Sequence, residues 1–90
     1  MVKESFTIKN PIDLDKFKVG SYYFCLGKYG SKNIPECWIL RIEEAFVESL
    51  RKSIKNVNHH LSDQYNFVEI DDIEMYNRLK TICRYADEWK

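Results

Sequence analysis

The sequence predicts an α+β fold: a small three-stranded, mostly antiparallel sheet packed by two helices, in the order β-β-α-β-α. Three observations point there. Short runs at 4–9, 21–27 and 65–70 are rich in aromatic and β-branched residues and are bounded by turn-forming residues. Two longer stretches repeat their apolar residues at helical spacing instead. Finally, 90 residues suit one domain, spanning 1–90, with a single modest core. At 44% hydrophobic and 14% aromatic, with balanced charge, the chain has the composition of a folded protein and not of a disordered one.

Taken in order, ESFTIK sets Phe6 and Ile8 on one side and Ser5, Thr7 and Lys9 on the other, as a strand does. Asn10-Pro11 ends it. IDLDKFKVG carries Ile12, Leu14, Phe17 and Val19 and reads as a helical turn or irregular crossing. SYYFCLG is the second strand, and its almost continuous apolarity requires cover on both faces. GKYGSKN is a loop that leads into the third element.

That element has two readings. CWILRI alone alternates like a strand, with Trp38, Leu40 and Ile42 on one face. The longer repeat favours a helix. At about 100° per residue, Ile39, Ile42, Phe46, Leu50, Ile54, Val57 and Leu61 form a stripe opposite Arg41, Glu44, Glu48, Arg51, Lys52 and Lys55. A strand ending at Ile42 would leave the next helix without a Ser, Thr, Asp or Asn cap. Asn33, Pro35 and Glu36 supply a cap, a first-turn proline and a capping-box acid. One long helix at about 36–59 is therefore expected. It would be roughly 36 Å long in a globule roughly 31 Å across, so it must protrude, bend or pack against a second copy. A homodimer is one expected outcome. YNFVEI is the third strand. From Asp72, Met75, Leu79, Ile82, Ala86 and Trp89 recur at helical spacing, which predicts a helix to the end of the sequence.

The acidic run Glu69, Asp71, Asp72 and Glu74 lacks the glycine and the alternation of a calcium loop. Asp71 fits as the N-cap of the last helix, Glu74 as its capping-box acid, and Ile70 and Met75 as its hydrophobic staple. Glu69 is left over, on a strand face beside Phe67. In the glycine loop, Lys28, Tyr29 and Lys32 offer charge and a stacking surface, without the spacing of a nucleotide-binding loop. The three cysteines and the His59-His60 pair lack zinc-module spacing. An odd cysteine count without CxxC fits a reducing, cytoplasmic compartment. No run is apolar enough for a membrane span, and no signal-peptide pattern opens the sequence.

Net charge is zero, but residues 1–41 carry +3 (seven basic, four acidic) and residues 61–90 carry −3 (four basic, seven acidic). No catalytic constellation is visible, and no metal or cofactor is expected. The aromatic surplus and separated charge poles point to a protein partner, such as a nucleic-acid-processing complex. The residues expected to meet it are Tyr22, Lys28, Tyr29, Lys32, Glu69, Asp72 and Glu74. In type, as a short chain without motifs, it resembles small phage-encoded inhibitors of host defence, anti-CRISPR proteins among them, which implies action by steric occlusion. The alternative is a nucleic-acid-binding module using Lys28, Lys32, Arg51, Lys52 and Lys55, which the absence of net positive charge disfavours.

Overall fold

A computed structural model describes residues 4–8, 10–29, 34–56 and 65–90, and their side chains except at 28, 29, 34 and 53–56. Among these residues the chain forms β1 (Tyr22–Tyr29), β2 (Ile34–Arg41), α1 (Glu44–Asn56), β3 (Asn66–Ile70), α2 (Ile73–Lys80) and β4 (Tyr85–Ala86). The α+β class holds. The sheet is mixed and four-stranded, in the order β3-β1-β2-β4. β1 pairs antiparallel with both β2 and β3, whereas β4 joins β2 in parallel.

The expected helix at 36–59 is corrected. Its first part is β2, which pairs with β1 over its whole length, from Tyr22 opposite Arg41 to Tyr29 opposite Ile34. This pairing outweighs the helical stripe, and Ile34, which precedes proline, already resists helical angles. Pro35 lies beyond the part of β2 that β4 covers, so its missing N–H costs no pairing there. α1 begins without the cap expected of it. The Glu43 carbonyl accepts from Phe46 and Val47 N–H at 3.1 and 3.2 Å, and Arg41 holds the Glu43 carboxylate at 2.8 Å. At 13 residues, α1 is about 20 Å long, well inside the 38 × 31 × 23 Å molecule. The length mismatch that called for a second copy is gone. His59 and His60 lie outside the described residues.

Both faces of the sheet are covered, as the apolarity of β1 requires. The first face carries Tyr23 and Cys25 from β1, Trp38 and Leu40 from β2, and Phe67 from β3. Over it pack Phe6, Ile8, Leu14 and Phe17 from the N-terminal segment and Phe46, Val47 and Leu50 from α1. Among the described residues of the expected first strand only Phe6 pairs, exchanging backbone hydrogen bonds with Phe67 at 2.8 and 3.0 Å. A short 3-10 helix, Pro11–Lys16, follows it. Phe17 then places its ring edge-on to Tyr23, Phe67 and Phe6, with centroids 5.1, 5.1 and 5.4 Å away. Gly20 turns the chain into β1 with a φ of +92°, a value that suits glycine and strains other residues.

The second face carries Tyr22, Ile39 and Ile70, covered by Met75, Tyr76 and Leu79 of α2 and by the C-terminal segment. The helix expected to run to the end of the sequence stops at Lys80. Beyond it the chain turns, forms β4 and lays Trp89 against the sheet. Trp89 stacks on Tyr22 at 4.7 Å and meets Tyr76 at 5.3 Å. The tail is tied down by tyrosine hydroxyls: Tyr22 donates to Glu88 O at 2.7 Å, and Tyr76 donates to Asp87 O at 2.7 Å. Asp87 is the tail's anchor on β2. Its N–H donates to Ile39 O at 2.8 Å, and its carboxylate accepts from Arg41 N–H at 2.7 Å.

Candidate binding cleft

The concave feature with the most consistent chemistry lies on the first face, between the sheet and α1. β1, β2 and β3 contribute Cys25, Trp38, Leu40 and Phe67. α1 contributes Phe46 and Leu50, and Ile8 and Tyr65 close the ends. The alternation of the strands puts the first four on one side of the sheet. The helical spacing of Phe46 and Leu50 brings both over it. The cleft encloses about 410 Å³, within the range of small-ligand sites. Gly27 shapes one end. The Tyr65 ring lies so close to its Cα that a Cβ there would overlap the ring. From that seat Tyr65 faces Trp38, with centroids 5.8 Å apart and the planes tilted by 59°.

Among the described residues no charged side chain lines the cleft. The lining residues that carry a polar side-chain atom are Tyr65, Trp38 and Cys25. Cys25 is 2% exposed. Burial, with lesser contributions from Cys83 and Asp87, pushes its thiol from 9.0 up to about 12. It therefore stays protonated at neutral pH and is a poor nucleophile. This lining can recognise apolar groups.

The residues singled out from sequence lie elsewhere, and several are already engaged. Tyr22 is 5% exposed and holds the C-terminal tail through its hydroxyl. Glu69 sits opposite Tyr23 on the first face, 3.4 Å from the Lys18 ammonium. This ion pair accounts for the acid that helix capping left over. Asp72, in place of Asp71, caps α2: its side chain accepts from Met75 N–H at 2.8 Å. The capping box and staple drawn from Asp71 shift out of place by one residue. Glu74 is exposed in the first turn of α2, where an acid favours the helix dipole.

Lys28 and Tyr29 end β1, and Lys32 lies outside the described residues. The glycine loop joins two antiparallel strands instead of opening a helix, which removes the helix start that made it an anion site. Of the proposed nucleic-acid residues, Arg51 pairs with Glu48 at 3.6 Å, Lys52 is exposed, and Lys55 belongs to α1. Among the described residues no group of three or more His, Cys, Asp and Glu could hold a metal ion, and no helix is long and apolar enough to cross a membrane.

Comparison with known proteins gives no matching family model, no similar curated protein and no similar solved structure. The functional reading therefore rests on geometry and chemistry alone. Sequence reasoning missed the cleft because its lining comes from β1, β2, β3 and α1 together. The one local signal was Gly27 inside an apolar strand, which marks a close approach by another group.

Proposed function

We propose that this protein is a small binding module that acts on a protein partner and inhibits it by occluding its working surface. The observation that supports this reading is the apolar cleft of about 410 Å³, lined among the described residues by aromatic and aliphatic side chains and Cys25. Such a cleft suits one or two large apolar side chains of a partner, the kind of anchor that dominates protein interfaces. Exposed polar residues of α1, Lys52 among them, would then form the wet rim, and charges elsewhere on the surface such as Glu74 would act only in steering the encounter. The partner expected is a nucleic-acid-processing complex of the cell in which the protein works. No cofactor takes part.

The test is capture of partners from that cell, with tagged wild type and with Leu50→Trp, which plugs the cleft from α1. Because the added volume enters an existing space, stability should stay within about 1–2 kcal/mol of wild type by urea titration. A specific protein captured by wild type and lost with Leu50→Trp is the expected result. Equal capture by a folded Leu50→Trp protein would reject the cleft as the contact. Salt-dependent binding to random DNA, unaffected by the plug, would instead favour the nucleic-acid reading on Lys28, Lys32, Arg51, Lys52 and Lys55.

A further inference from the structure

Cys37 and Cys83 meet on the second face of the sheet, where the C-terminal segment joins β2. The Cys37 thiol donates to Ile82 O at 3.1 Å, and Arg84 N–H donates to Cys37 O at 2.9 Å. The residues on both sides of Cys83 are thus fastened to Cys37. Cys37 points to the same face as Ile39, two positions along β2, and Cys83 packs against the cluster that contains Ile39. Both cysteines are half-buried and free. The third cysteine, Cys25, lies on the opposite face and is 2% exposed.

We propose that Cys37 and Cys83 are a redox-active dithiol that exchanges with a low-molecular-weight disulfide and closes into an intramolecular disulfide. This assignment does not depend on what the cleft binds. With oxidised glutathione, the Cys37 thiolate attacks one sulfur of the reagent. The glutathione S–S bond breaks, a Cys37–glutathione bond forms, and one glutathione thiolate leaves. Cys83 then attacks the Cys37 sulfur, the protein disulfide forms, and the second glutathione leaves. Two protein thiols lose two electrons and two protons, and one glutathione disulfide becomes two thiols. Burial, followed by the neighbouring Cys37, raises the Cys83 thiol, and the thiolate is the reacting form. Cys37 is therefore taken as the first attacker.

The bond would fix β4 covalently to β2 at a seam now held by backbone hydrogen bonds and the Arg84–Glu36 ion pair at 2.7 Å. The 90-residue chain, fully reduced, is equilibrated in glutathione buffers of rising oxidised-to-reduced ratio. It is then acid-quenched, alkylated, digested and mapped by mass. The expected product is a monomer that has lost two hydrogens and carries a Cys37–Cys83 cross-linked peptide, with Cys25 alkylated only after denaturation. Its melting temperature should rise and return on reduction. Cys83→Ser should instead accumulate a glutathione adduct on Cys37. The proposal is overturned if wild type stays folded at the oxidising end with Cys37 and Cys83 both free. A bond that forms only between molecules or to Cys25 overturns it too.

Discussion

Cys25 and Asp72 show how a single side chain can carry a measurable signature. Cys25 keeps its proton in the folded state up to about pH 12, whereas an exposed thiol loses it near 9.0. Below that lower value both states are protonated and pH has no effect through this group. Above it the unfolded chain ionises first, so the folded state binds more protons and stability falls as pH rises toward 12. Urea titrations across this alkaline window should show the decline, and Cys25→Ala should make it shallower, leaving the share that Cys83, raised in the same direction, contributes. Asp72 acts through one hydrogen bond to Met75 N–H at 2.8 Å. Asp72→Ala should lower unfolding free energy by about 0.5–2 kcal/mol, with the loss read from the urea midpoint. The sequence predicted an acidic cap here but placed it at Asp71, because a capping box and a staple could be drawn from that position. The extended backbone and the hydrogen bond both fall one residue later.

Among the elements, the C-terminal tail depends most on tertiary contacts. β4 has two residues, too few to hold by themselves. Trp89 supplies the adhesion by stacking on Tyr22 at 4.7 Å and leaning on Tyr76. Trp89→Ala should cost about 2–4 kcal/mol and speed hydrogen exchange at the amides of Arg84 and Asp87, which donate to β2. This tail was read as helix because Ala86 and Trp89 continue the spacing of Met75 and Leu79. Their apolarity is real, and both pack against the second core. They reach it from an extended chain, which spacing alone cannot distinguish from a helix. The same ambiguity hid the end of β2. Ile39, Ile42, Phe46 and Leu50 fall on one helical stripe, yet Ile39 belongs to a strand and Phe46 to a helix. β1 and α2 were legible because their signals are local: consecutive β-favouring aromatics in one, an acidic start and an apolar period in the other. The cleft was not, since no stretch of sequence contains it.

For the molecule as a whole, the central layer matters most, because one strand serves two cores. Tyr23 and Cys25 of β1 belong to the first core and Tyr22 to the second. Neither core can come apart without disturbing the strand that supports the other. Trp38 packs against the first and Trp89 against the second, which gives each its own fluorescent reporter. Trp38→Phe and Trp89→Phe proteins, each followed through the remaining indole, should unfold in single transitions. Each midpoint should coincide with the one that far-UV circular dichroism gives for the same protein. Separated midpoints would mean that the layers melt independently.

The neighbouring tyrosines of β1 have a consequence for how the strand finds its place. A slip of one position would exchange the faces of Tyr22 and Tyr23, and at one of the two sites tyrosine would replace tyrosine, so apolarity there would scarcely oppose it. The hydroxyls distinguish the two arrangements. Tyr23 accepts from Lys18 N–H at 2.8 Å on one side of the sheet, and Tyr22 reaches Glu88 O and Lys90 N–H at 2.7 and 3.1 Å on the other. After a slip each would be buried without its partner, which costs more than the bond itself is worth. The oxygen atoms act as a proofreading mark at this end of the strand, as the Gly27 seat against the Tyr65 ring does at the other. Phenylalanine at both positions would keep the oily character of β1 and erase the mark.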